Sequence, residues 1–182
     1  MNTDYARKKL LEHQERWTRK KSLRIIYEEL FQQILDNCVA GPILEIGGGF
    51  GCFKEYNDDI VSTDIVQMPN LDIVCDAHCL PFIPESFLNV VAIDVLHHVE
   101  RPIRFLHQVV DVLPVGGRLI VVEPAITPLS RCIYALHEES VDMTVDPLED
   151  GMLTSDRDPF EANQAIGTLI VQHFQKEQQE KV

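Results

Sequence analysis

Four carboxylates stand at or near the ends of short apolar runs: Glu45, Asp64, Asp76 and Asp94. Beside the first lies Gly47-Gly48-Gly49-Phe50-Gly51. Glycine loses the most backbone freedom on folding, so such a cluster marks a bend where something comes close to the main chain. A carboxylate only accepts hydrogen bonds, which suits a ribose diol, an exocyclic amine or an ammonium group. Each hydrogen bond to a charged partner contributes roughly 1.5–3 kcal/mol. The same ring of acids would repel a pyrophosphate. The spacing agrees: a phosphate-binding P-loop needs Gly-x4-Gly-Lys-Ser/Thr, but Lys54 lies between Phe53 and Glu55. A dinucleotide fingerprint starting at Gly47 and Gly49 needs a third glycine at position 52, which is Cys52.

Three histidines are candidates for proton transfer. His97 and His98 follow the fourth apolar run, and His137, beside Glu138 and Glu139, lies beyond the fifth. A base is needed only if the reacting group must lose a proton. His78 reads as a loop residue. The Cys75–His78–Cys79 cluster lacks zinc-type spacing and no second pair follows, so no metal is expected. The five cysteines read as free thiols.

The acids are positioned by alternating elements. Residues 4–38 read as helical, with Leu23, Ile26, Tyr27, Leu30, Phe31, Ile34 and Leu35 on one face and Leu10, Leu11 and Trp17 as earlier contacts. Gly41-Pro42 ends this stretch. Strands are expected at Ile43–Ile46, Ile60–Asp64, Leu71–Cys75, Leu88–Asp94 and Arg118–Glu123. An amphipathic helix is expected over Pro102–Leu113, its face formed by Ile103, Leu106, Val109, Val110 and Leu113. Near-continuous apolar strands with intervening helices indicate a parallel sheet covered on both faces. Its carboxyl edge gathers the acids beside the topological switch point. The first crossover, Cys52–Asn57, has room for little more than a turn or two of helix, and Val66–Asn70 has almost none. The "LPF" at 80–82 reads as core packing. Leu129–Glu139 and Glu161–Glu180 read as helices, with an acidic, turn-rich segment at 142–159.

Composition excludes several classes. The chain has 182 residues and a formal net charge of −13. Eight basic residues against three acids stand before residue 25, which leaves 8 basic and 26 acidic residues for the remainder. An acidic body is a poor general nucleic-acid binder, because phosphate contacts need Lys and Arg. The basic N-terminus reads as a solvated helix face. No apolar run is long enough to span a membrane, and no secretory-type segment opens the chain, so a cytoplasmic protein is expected.

These motifs, in this order, resemble class I S-adenosylmethionine-dependent methyltransferases, of the compact branch often directed at small molecules. "LEIGGGFG" resembles the first cofactor motif and "STDI" the ribose-binding acid. "CDAHCLPFIPESFLNVVAIDVLHHVERP" and "LPVGGRLIVVEP" resemble the later motifs, and the match covers about residues 41–125. The resemblance implies S-adenosyl-L-methionine as cofactor and a Rossmann-like, mostly parallel α/β sheet. It implies that Glu45, Gly47, Gly48 and Gly49 serve the methionine portion. Asp64 and Ile65 would serve the ribose, Asp76 and Ala77 the adenine, and Asp94 and Val95 the region of the reacting methyl. It implies methyl transfer to a small-molecule or glycan-type acceptor. A non-catalytic cofactor-binding module, or a subunit requiring a partner, is the alternative. Within one domain, residues 1–40 are read as a helical extension or lid, 41–125 as the cofactor-binding core and 126–182 as a helical and loop segment. The family's terminal antiparallel hairpin is not evident. The fifth strand would then be an open edge, suited to a homodimer or to cover by the C-terminal segment.

Overall fold

The computed structural model describes residues 3–134, 140–149 and 159–180. Helices α1 (Thr3–Arg19) and α2 (Lys21–Asn37) precede strands β1 (Ile43–Ile46), β2 (Ile60–Asp64), β3 (Ile73–Val74) and β4 (Asn89–Ile93). Helix α3 (Pro102–Val112) leads into β5 (Arg118–Val122), and α4 (Pro128–Tyr134) and α5 (Ile166–Glu180) follow. All five strands are parallel, in the order β3-β2-β1-β4-β5. The order reverses between β1 and β4, so the switch point opens beyond their carboxyl ends.

Alternation along each strand assigns the two faces. Leu44, Ile46, Val90 and Ala92 join a core built with Phe105, Val109 and Val112 of α3 and with Ile166 and Ile170 of α5. Ile43, Ile60 and Val91 face the other way, onto Trp17 of α1 and Phe31 and Ile34 of α2. Asn89 is fully buried and exchanges two hydrogen bonds with the backbone of Val39, at 2.8 and 2.9 Å. That pair fixes the start of β4 against the link from α2 to β1.

The structure departs from the sequence reading in the N-terminal helix. The chain breaks at Lys20, where φ −102° and ψ 95° are extended. In one straight helix, residues 17 and 31 would stand roughly 21 Å apart at about 1.5 Å per residue. Here the rings of Trp17 and Phe31 are 6.3 Å apart, because α1 folds back to seat its only tryptophan among Tyr27, Phe31 and Phe50. Leu10 and Trp17 are buried as expected, whereas Leu11 is exposed.

The α3 face is also shifted. Its buried stripe runs through Pro102, Phe105, Val109 and Val112, and Val110 is exposed. The stripe follows the three- and four-residue spacing from Pro102, which leaves Val110 on the water side. Leu80 and Phe82 do pack on the core, and the Phe82 and Phe87 rings meet edge to face at 4.9 Å. The first crossover is a single 3₁₀ helix at Phe53–Tyr56, and β3 is only two residues long. No described strand pairs with the far edge of β5, where Val121 is exposed.

Phe31 is 1% exposed and its ring meets those of Trp17, Tyr27, Phe53 and Tyr56. Phe31→Ala should cost about 3–5 kcal/mol in urea unfolding. Val115→Ala, at a fully exposed position, should change stability by less than about 0.5 kcal/mol.

Candidate active site

The bend after β1 is held in a conformation that side chains disfavour. Gly47, Gly49 and Gly51 have φ of 71°, 58° and 79°, in the left-handed region that glycine enters without steric cost. Space is also short. A Cβ at Gly47 would lie 2.3 Å from Val95 Cγ2, and one at Gly48 would lie 2.2 Å from Ser62 Oγ. The loops after β1 and β4 therefore touch across the switch point.

Asp64, the last residue of β2, pins this bend. Its Oδ2 accepts from Gly49 N–H at 2.9 Å and its Oδ1 from Val66 N–H at 2.8 Å. Burial pushes its carboxyl above the ordinary range, opposed by those backbone donors. Glu45 belongs to the neighbouring strand, β1. It is 4% exposed and lies beneath the bend, where it accepts from the Ser62 hydroxyl. Neither Glu45 nor Gly48 belongs to the cavity wall. Strand alternation is the reason: Glu45 lies between Leu44 and Ile46, whose side chains face the α3 core, so its own points the other way. Burial, the largest cause, pushes its pKa up to about 7.

Asp76, beyond β3, is exposed. Its Oδ1 accepts from the backbone N–H of His78 at 2.8 Å and lies 2.7 Å from His78 Nδ1. His78 Nε2 accepts in turn from Arg101 N–H at 3.2 Å. The histidine read as a loop residue thus links the third strand's acid to the start of α3.

After β4, Asp94 adopts φ 55°, unusual for a residue with a side chain. What holds the next residues is an acid outside the expected site set, Glu123, at the end of β5. Its Oε1 accepts from Val95 N–H at 2.9 Å and Leu96 N–H at 2.6 Å, and its Oε2 is 2.5 Å from His97 Nδ1. The side chains of His97 and Glu123 are only 4% and 8% exposed. A Cβ on Gly167, in the first turn of α5, would lie 2.7 Å from Glu123 Cβ, so α5 closes tightly over this acid.

One cavity of about 570 Å³ joins these features. Gly47, Gly49, Asp64, Ile65, Asp76, Ala77, Asp94 and Val95 line it, as do His97 and His98. His137 lies outside the described residues. Leu10 and His13 of α1, Tyr27 of α2, and Tyr134, Phe160 and Gln164 of the C-terminal part also line it. Burial raises the pKa of Tyr27, and the nearby Asp94 adds to the shift. Among the described residues, no lysine or arginine lines the wall. Bare main chain at Gly47 and Gly49, with carboxylates at three strand ends, suits a positively charged nucleoside and not a phosphate.

Among the described residues, then, the elements form an α/β protein with its cavity at the switch point. Residues 44–121 match the sequence model of a methyltransferase domain family. An S-adenosylmethionine-dependent methyltransferase from Thermotoga maritima, described as a possible histamine N-methyltransferase, is 24% identical with a TM-score of 0.61. The alignment covers 72% of this chain and 67% of that one. A protein from Pyrococcus horikoshii is 24% identical with a TM-score of 0.52, over 66% of each chain. A [4+2]-cyclase is 22% identical with a TM-score of 0.44, and this chain covers 43% of it. The chain therefore spans at most about two thirds of the length of these structures. A comparison with curated protein sequences gave no significant match. The chain thus shares its fold with the Thermotoga maritima methyltransferase, and residues 44–121 carry the sequence similarity to the methyltransferase domain family.

Glu45 sets an expected pH dependence of stability. Its folded pKa of about 7 is raised above the ordinary 4.5, so the native state binds the extra proton between these values. Stability should therefore fall as pH rises from about 4.5 through about 7, and level off above. The total is on the order of 3 kcal/mol, from about 1.4 kcal/mol per pKa unit. Urea unfolding from pH 4.5 to 8.5 measures the slope, and Glu45→Gln should remove most of it.

Proposed function

We propose that this chain transfers a methyl group from S-adenosylmethionine to a small-molecule or glycan-type acceptor. The observation that carries the reading is the bare bend at Gly47–Gly49, facing one cavity with Asp64, Asp76 and Asp94. The cofactor, when bound, supplies an electrophilic methyl group on a sulfonium, and the protein supplies position and charge. Gly47 and Gly49 leave room for its amino-acid end against the main chain. Asp64 has already used one lone pair of each oxygen on Gly49 and Val66, so the remaining pairs are available to ribose hydroxyls. Asp76 and Ala77 serve the base. Asp94 favours positive charge near the reacting centre, and Val95 closes that part of the wall.

Within this reading His97 is the proton acceptor. Neutral imidazole carries one N–H, and the Glu123 carboxylate draws it to Nδ1. Nε2 is then left with a lone pair. Such a carboxylate–imidazole arrangement orients the base without itself taking up the proton.

Calorimetric titration with S-adenosylmethionine tests the cofactor half. Micromolar binding is expected for the unmodified protein. Asp64→Ala should weaken it by about tenfold or more if two charged hydrogen bonds are lost. Because Ala also frees Gly49 and Val66, Asp64→Asn should be measured beside it: it retains one oxygen acceptor and should lose less. Equal affinity across all three proteins would remove Asp64 from the cofactor site.

A further inference from the structure

We infer that Tyr27 of α2 belongs to the cofactor site and donates its hydroxyl hydrogen to the carboxylate of the cofactor's amino-acid end. The inference rests on the proposed cofactor site. It adds a residue outside the 44–121 segment that carries the family similarity.

An amino-acid end brings a carboxylate, which only accepts hydrogen bonds. Main-chain donors around the switch point are already committed. In the bend, Gly48 N–H donates to the Thr63 carbonyl at 2.9 Å, Gly49 N–H to Asp64, and Gly51 N–H to the Gly48 carbonyl at 2.8 Å. In the loop after β4, Asp94 N–H donates to the Val122 carbonyl at 2.8 Å, and the N–H groups of Val95 and Leu96 both go to Glu123. The Thr63 hydroxyl donates to the Glu45 carbonyl at 2.8 Å. A carboxylate entering here needs a side-chain donor, because burying it without one is costly.

Tyr27 supplies that donor. It lines the cavity together with Gly47, Gly49 and Asp94. Its ring is held edge-on by Trp17 and Phe31, each with its centroid 5.6 Å away. Among the described residues its hydroxyl has no hydrogen-bond partner. Burial, and then the charge of Asp94, raise its pKa, so at neutral pH it keeps the proton it has to donate. A hydroxyl donor beside a negative charge matches the carboxylate and ammonium that an α-amino acid carries side by side.

Two cations of α1 are the competing hosts. Lys9 sits over the Phe160 ring at 5.0 Å, and Arg16 acts on His13, whose pKa is lowered first by burial and then by Arg16 and Lys9. Neither Lys9 nor Arg16 lines the cavity, whereas Tyr27 does.

The test is calorimetric and pairs two ligands. One is S-adenosylhomocysteine; the other is its decarboxylated analogue, which keeps the nucleoside and the ammonium and is measured by displacement of the first. Tyr27→Phe retains the ring that packs on Trp17 and Phe31. It should weaken S-adenosylhomocysteine about tenfold, as one hydrogen bond to a charged group is lost, and change the analogue by less than about twofold. Arg16→Gln and Lys9→Gln should each leave the difference between the two ligands as it is in the unmodified protein. Equal losses for both ligands in Tyr27→Phe, no loss for either, or a carboxylate-dependent loss in Arg16→Gln or Lys9→Gln instead, overturns the inference. Binding of neither ligand by the unmodified protein overturns the cofactor reading itself, and the role of Tyr27 with it.

Discussion

The carboxylate of Asp64 on the backbone N–H of Gly49 joins the two strands on which the cavity depends. It fixes a bend that only glycine adopts at low cost, and it does so from the end of the neighbouring strand. Everything around the cavity is registered to that contact. β1 carries the bend, β2 the clamp, and β4 approaches until Val95 leaves no space for a side chain at Gly47. The parallel register of β1 with both β2 and β4 brings these loops to one edge.

A second clamp of the same kind works on the other side of the switch point. Glu123, ending β5, takes two backbone N–H groups and an imidazole from the loop after β4. Asp64 and Glu123 are thus both strand-end acids used to shape a neighbouring loop. In each case the carboxylate compensates main-chain donors that no strand partner could reach. α5 then covers Glu123 at Gly167, and the segment leading into α5 holds Gln164 at the cavity wall.

Much of this was legible in residues. The strands β1 and β2 follow from short runs opened by Ile43-Leu44 and Ile60-Val61, and the 3₁₀ helix after the bend follows from the few residues between Cys52 and Asn57. Asp64, Asp76 and Asp94 could be found because each ends such a run. Glu123 carries the same signal, at the end of "RLIVVE", but the resemblance implies no role for it. Glu45 stands next to the glycines in sequence, and strand alternation turns its side chain beneath them. The break at Lys20 has no marker in residue type. It is set by the packing of Trp17 on α2, a contact between residues far apart in sequence. For the same reason the contributions of His13, Phe160 and Gln164 to the cavity were not readable from periodicity, which shows a face but not what it meets.

The central claim is that a bare bend clamped by Asp64 holds a cationic nucleoside at the switch point. A crystal structure of the protein grown with S-adenosylhomocysteine tests it most directly. The account predicts the ribose hydroxyls against Asp64, the base beside Asp76 and Ala77, and the amino-acid end over Gly47 and Gly49. Density for the nucleoside elsewhere, or none at saturating concentration with the bend closed by its own neighbours, would contradict it.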